Sequence, residues 1–375
     1  MNEDDANCGS QYEIVDNRKK TDFNGITFST FQKSKVKYEL LESFIHSRLE
    51  QACYWSAELI CAGHLIDVWD TIILFISRYI HLGNPKLPIY ISKRFEQFKT
   101  IQMNGYIDDE LSLRNNYVIR KLFAEMIGVL CLSRKKHSFE PVHINKTNDF
   151  NMTSINSRLR ANNLDYAKDV FKQNDPKEFI IAINEFCYHI STHSKNVVNA
   201  CYWIEWILEF EALCKTKKES CYGESREFVS IMDKYKHDII WIIWDSILSE
   251  CKKRGCVLTS KIVKSLLDIF CIRYSGGVKR KRRFLIYFAV ALLTEPIDLG
   301  IEMITNKEQI DFIVKKINLV YKDVKKNELT NSSDTIKKTD KNEDEKDHKQ
   351  IIFSKKQDIM LKSSSFLPRL NQIIK

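Results

Sequence analysis

Three groups of residues in this sequence have types and spacings that could do chemistry. Cys187, His189 and His193 fall within seven residues of one another. On a helix, histidines at i and i+4 present both imidazoles to one side, a spacing that suits zinc. Cys201, with Cys214 or Cys221, would complete a four-ligand set, although no Cys-x2-Cys pair accompanies them. The alternative is that the histidines line a polar face. The second group is Lys279-Arg280-Lys281-Arg282-Arg283, five consecutive cations after Gly276-Gly277. The third is a pair of carboxylates, Asp70 and Asp245, each directly following a Trp, and these read as exposed or paired structural groups.

The cationic run ends a longer basic stretch. Between Lys252 and Arg283 there are eleven basic residues and one acidic one, Asp268, whereas the whole chain carries a net charge of only +9. The excess therefore lies in one segment, with Lys252, Lys253 and Arg254 at its start. Cations at the start of a helix oppose its macrodipole, so an anionic partner would relieve both that and their mutual repulsion. The readings are sequence-independent contact with a DNA or RNA phosphate backbone, a nuclear-import peptide, or a solvated turn. No helix-turn-helix, zinc-finger or RNA-recognition signature accompanies the segment.

Motifs for familiar reactions are missing from the sequence. There is no Gly-x4-Gly-Lys-Ser/Thr, Gly-x-Gly-x-x-Gly, His-Glu-x-x-His or Gly-x-Ser-x-Gly. The expectation is a non-enzymatic helical scaffold or interaction protein that needs no cofactor and contacts nucleic acid through the basic segment. The runner-up is an enzyme, metal-dependent or not, using the Cys187/His189/His193 neighbourhood.

The elements that must position these groups read as helices. The chain has 375 residues with 44% hydrophobic content, enough for a large core, yet only 11 Gly and 6 Pro. Sandwiches and barrels need many Gly/Pro turns, so the scarcity argues for long helices with few connections. Helical periodicity covers Val36 to Ile80, interrupted at Gly63 and stopped by Gly83-Asn84-Pro85, then Leu111 to Leu132. It resumes after Asp175-Pro176, an N-cap followed by Pro at the first helical position. Helices are expected over Val197 to Leu213, Ile239 to Leu248, Ser260 to Ile272, Arg283 to Leu293 and Gln309 to Val324. Residues 1–34 read as a flexible polar arm, and 326–375 as a charged linker with a docking peptide at its end. No apolar run is long enough to span a bilayer and no secretory signal opens the sequence. The eleven Cys read as reduced thiols. These features imply an intracellular protein without membrane insertion.

The sequence also repeats itself. Ala52-Cys53-Tyr54-Trp55 recurs as Ala200-Cys201-Tyr202-Trp203, and Trp69-Asp70-Thr71-Ile72 as Trp244-Asp245-Ser246-Ile247. The expectation is a duplicated helical unit, residues 35–140 and 150–325, packed as a multi-helix bundle or collar-like array. In each copy the Tyr-Trp helix and the Trp-Asp helix should form a hairpin with aromatics across its seam.

Two resemblances follow from particular residues. Tyr54-Trp55-Ser56-Ala57-Glu58-Leu59, Ala62-Gly63, Ile76-Ser77 and Ile80-His81-Leu82-Gly83-Asn84-Pro85 resemble the C-terminal helical part of the Werner-helicase-interacting, replication-restart AAA+ ATPases. Tyr79 stands where that family has Asp, and its ATP-binding motifs have no counterpart. The resemblance implies a collar-like, oligomerising helical fold and no ATPase activity. Ala57 to His64, His81 to Pro88 and Tyr202 to Glu209 resemble uncharacterised helical proteins of giant nucleocytoplasmic DNA viruses. That implies a viral factory in the host cytoplasm or a virion, with the nucleus as a further location. A structural virion component is thus a third reading, and protein partners would engage the helical faces or the C-terminal tail.

Overall fold

Low Gly and Pro content and 3.6-residue periodicity give the expected result. The computed structural model describes residues 11–107, 109–219 and 221–330, and among them the chain is all-α, with one isolated bridge between Ile26 and Gln32. The helices are α1 (Lys33–Ile45), α2 (Leu49–Cys61), α3 (Leu65–Phe75), α4 (Leu87–Met103), α5 (Tyr117–Leu132), α6 (Met152–Arg158), α7 (Ile180–Ile190), α8 (Val197–Thr216), α9 (Ile240–Arg254), α10 (Val257–Cys271), α11 (Val278–Lys281), α12 (Arg283–Thr294) and α13 (Lys307–Lys325). Gly63, at φ +76°, ends α2 as expected: its left-handed conformation lets His64 N–H reach back to the Leu59 carbonyl. α4 has no counterpart in the sequence reading. Pro88 occupies its first turn, where the missing N–H costs nothing.

The chain divides into two compact units, and neither is a continuous stretch. Among the described residues, the first takes in those of 11–71, 97–132 and 306–330, and the second those of 72–96 and 133–305. The consecutive division at 35–140 and 150–325 is therefore replaced by an interleaved one. In the first unit α2 packs against α1, α5 and α13, and α13 also packs along α5. Ile310, Ile313, Ile317, Val320 and Val324 form the buried stripe of α13, which draws the end of the described chain back to its beginning.

In the second unit α12 packs against α7, α8, α9 and α10. Every residue from Phe284 to Thr294 is buried, as befits a helix that is apolar all round. The two repeated motifs fall one in each unit, apart from Ile72. Their hairpins differ from expectation, because the extensive partner of the Tyr-Trp helix is the helix before it: α1 with α2, and α7 with α8. All six Trp are buried. Trp69 packs on Phe98 and Phe123, and Trp244 on Phe270. These rings are core.

The described part of the N-terminal segment, residues 11–34, is not a free arm. Phe23, Thr27 and Phe28 are wholly buried, and the α2 carboxylate of Glu58 holds the loop. Glu58 accepts hydrogen bonds from Thr27 Oγ1 (2.9 Å), Ser29 N (2.9 Å) and Ser29 Oγ (2.5 Å). Burial raises the pKa of Glu58 despite these donors. A carboxyl whose pKa is raised on folding lowers stability as pH climbs above its unfolded value of 4.5. Glu58→Gln keeps the shape and cannot ionise. Its stability should match the parent near pH 4.5 and exceed it at pH 8 in urea titrations, and parallel curves across that range would refute the assignment. The tail beyond residue 330, including its proposed docking peptide, lies outside the described residues.

Candidate functional site

The basic segment begins at the end of α9. Arg254 Nε donates to Glu250 on the preceding turn (2.8 Å), and its terminal nitrogens donate to the carbonyls of Ile190 (2.5 Å) and Leu293. A single guanidinium thus caps the carbonyl ends of α7 and α12, where positive charge is favourable. Lys253 pairs with Asp169 at 2.9 Å, both side chains being about half exposed.

The five-cation run is built into the unit. Lys279 is 3% exposed and its ammonium lies between Glu211 and Asp238, the latter at 2.7 Å. Asp238 also accepts from Tyr274 Oη (2.9 Å), so the buried charge sits in a connected network. Arg280 pairs with Glu209 (2.5 Å) and donates to the Leu208 carbonyl (3.0 Å). Arg282 is buried and donates to the carbonyls of Phe270 and Ile272 at the end of α10. Arg283 meets Glu205 (2.8 Å), which also accepts from Tyr287 Oη (2.6 Å). Burial holds the Glu205 pKa above the usual carboxylate value, with Tyr287 and Arg283 pulling the other way. Burial likewise opposes ionisation of Glu209, but Arg280 and Lys146 beside it bring its pKa below the ordinary value.

The carboxylates of α8 are therefore the anionic partner that the cationic run called for. Glu205, Glu209 and Glu211 take up Arg283, Arg280 and Lys279, while Lys281 is the exposed member. The run does not open an uninterrupted helix either, because Arg282 separates α11 from α12. Of the candidate nucleic-acid contacts, Lys252, Lys253 and Lys281 are exposed. Arg254, Arg280 and Arg283 are partly buried, and Lys279 and Arg282 are buried. Lys261 and Lys264 on α10 are also exposed.

The candidate metal ligands are not gathered. α7 ends at Ile190, so His189 and His193 do not share a helical face. Ser191 is the stop: its hydroxyl donates to the Tyr188 carbonyl (2.7 Å). His189 is buried, with Nδ1 3.0 Å from Ser194 Oγ and Nε2 3.5 Å from the Glu185 carboxylate. Glu185 in turn accepts the backbone N–H groups of Arg160 (3.0 Å) and Ala161 (2.9 Å). Cys201 is buried on α8. Among the described residues no three His, Cys, Asp or Glu side chains form a group able to hold a metal ion.

Cys187 and His193 do meet at a cleft of about 260 Å³ whose lining also includes Ser246, Ser249, Glu250, Lys253 and Arg254. Burial pushes the Cys187 thiol up to about 12, with Ser246 acting in the opposite direction. At neutral pH it is a protonated thiol and a poor nucleophile.

Asp245 is a paired structural carboxylate, 3.1 Å from Arg226 Nε. The other side of that guanidinium binds Asp175 in a bidentate pair (2.6 and 2.8 Å). Asp175 is thus committed to Arg226 and to the backbone N–H groups of Lys172 and Glu224 (2.8 Å each), while Pro176 takes the cap position of a 3-10 turn before α7. The sequence carried no direct signal for Arg226, which stands 51 residues from its partner. The signal for the α8 acidic row was present as Glu205 and Glu209 at i and i+4. Set against protein-family models, curated proteins and solved structures, the chain matches none of them.

Proposed function

We propose that this protein is a non-enzymatic helical scaffold that contacts nucleic acid, without sequence preference, through the exposed lysines of its basic segment. The observation that supports this reading is the division of labour within that segment. Lys279, Arg280, Arg282, Arg283 and Arg254 brace helices to one another, whereas Lys252, Lys261, Lys264 and Lys281 face outwards. Charge spent on bracing builds a rigid frame, and charge left outside supplies the salt-dependent attraction of a polyanion. The setting that the resemblance to viral proteins implies is a viral factory or virion, where DNA would be the abundant anion. No described helix is long and apolar enough to cross a membrane.

The test is a gel shift with a short duplex across a salt series. Changing Lys252, Lys261, Lys264 and Lys281 to Gln should weaken binding for all sequences alike. It should also lower the slope of log affinity against log salt by about one unit per contacting lysine. An unchanged slope in a folded variant would reject the reading. A second reading, an enzyme, is favoured by one observation: the Cys187/His193 cleft gathers polar groups.

A further inference from the structure

The cleft at the ends of α7 and α9 differs from an ordinary surface dimple in its excess of hydrogen-bond donors. Lys253 and Arg254 line it, together with three hydroxyl-bearing residues, Tyr166, Thr192 and Ser249. None of these three hydroxyls is engaged in a hydrogen bond among the described residues. Arg254 has five N–H donors and spends three on Glu250, Ile190 and Leu293, so two are left over. Lys253 spends one on Asp169, and a pair between two half-exposed side chains is worth about 0–1 kcal/mol, so it exchanges readily. Glu250 is the carboxylate in the lining, and it is committed to Arg254.

Helix carbonyl ends would ordinarily repel an anion here. Arg254 neutralises that objection, because it caps Ile190 of α7 and Leu293 of α12. Val170, Ile190 and the ring of Tyr166 add apolar surface to the lining. A volume of about 260 Å³ is just below the ~300–1,000 Å³ of drug-sized sites, so the occupant is small.

We infer that this cleft is a binding site for a small phosphomonoester, its phosphate held by Lys253, Arg254 and the Ser249 and Thr192 hydroxyls and its organic part lying against Tyr166 and Val170. A phosphate monoester offers three terminal oxygens to this many donors, which a carboxylate does not, and lysine and arginine are the cations that bind phosphate. The inference is independent of nucleic-acid contact, since a cleft of this size admits no duplex and Lys253 is not among the lysines tested above.

Calorimetric titration of the full chain with phenyl phosphate, inorganic phosphate and benzoate tests it. Phenyl phosphate should bind saturably, more tightly than inorganic phosphate, which lacks the ring, and than benzoate, which lacks the third oxygen. Lys253→Gln should weaken phenyl phosphate about tenfold or more, the worth of one hydrogen bond to a charged group. Lys252→Gln, one residue away and outside the lining, should leave it unchanged. Lys253 is half exposed, so its variant should keep the parental circular dichroism. No saturable binding, equal binding of benzoate, or equal losses in the two variants would each overturn the inference.

Discussion

Replacing Lys279 by methionine is expected to remove about 3–5 kcal/mol of folding stability, the cost of leaving a buried ion pair with one partner. Methionine has nearly the volume of lysine, so packing is conserved and the loss reports charge. Glu211 and Asp238 would then stand side by side in a site where both are almost fully buried, with no ammonium between them. Lys215 reaches Glu211 at 2.7 Å, but its side chain is 57% exposed and it cannot replace a charge enclosed on all sides. Urea denaturation of the parent, Lys279→Met and Lys281→Met measures the difference. Lys281, two residues on and exposed, should change stability by no more than about 0.5 kcal/mol. Equal effects at the two positions would sink the assignment of Lys279 as a buried brace. Adding Glu211→Gln and Asp238→Asn to Lys279→Met should recover part of the loss, because a site without charges has none left unpaired.

That expectation changes how the basic run can be probed. Reversing charges at 280–282 would place acids at Arg280, which pairs with Glu209, and at Arg282, which caps the end of α10. A lost gel shift in such a variant would follow from a damaged frame. Only the outward lysines separate binding from folding.

The helical class was legible because apolar periodicity and rare Gly and Pro are local signals. The break at Gly63 and the extent of α13 were legible for that reason. What escaped was non-local. The partners of Lys279, Arg280 and Arg283 lie 68, 71 and 78 residues away, so the run looked like unbalanced charge. The N-terminal arm looked polar because Ile14, Phe23 and Phe28 show no period, yet they bury as single anchors. The histidine pair failed on one residue: Ser191 ends α7 between His189 and His193. The cleft arises there too, from the ends of elements whose meeting no spacing in the sequence announces.

The segment from Ile76 to Asn84 departs furthest from regular geometry and gives the other large effect. α3 passes into a π-helical turn over Ile76–Ile80, a form that often marks functional sites. His81 follows at φ +43°, a conformation L-residues rarely adopt. Gly83 is required, since a Cβ there would lie 2.5 Å from the Arg134 carbonyl. The His81 ring is buried against Phe288 (4.7 Å) and Phe139 (6.3 Å), and among the described residues neither ring nitrogen has a hydrogen-bond partner.

Burial drives its pKa down from 6.5 to about 3; the nearby Tyr287 backbone favours the charged form slightly and Lys136 opposes it. Between pH 6.5 and 3 the unfolded chain therefore binds a proton that the folded chain refuses. Stability is full above pH 6.5 and declines as pH falls through that window. At pH 4.5, two units below the unfolded value, the loss from this group is about 3 kcal/mol. His81→Phe retains the ring stacking and removes the titration. The gap in unfolding free energy between parent and variant should therefore shift by that amount between pH 7.5 and 4.5. An independent reading is the His81 imidazole resonance, which should stay at its neutral position down to pH 4.5. A His81 signal that moves near pH 6 would show that the ring is hydrated, and the acid sensitivity of the fold would need another origin.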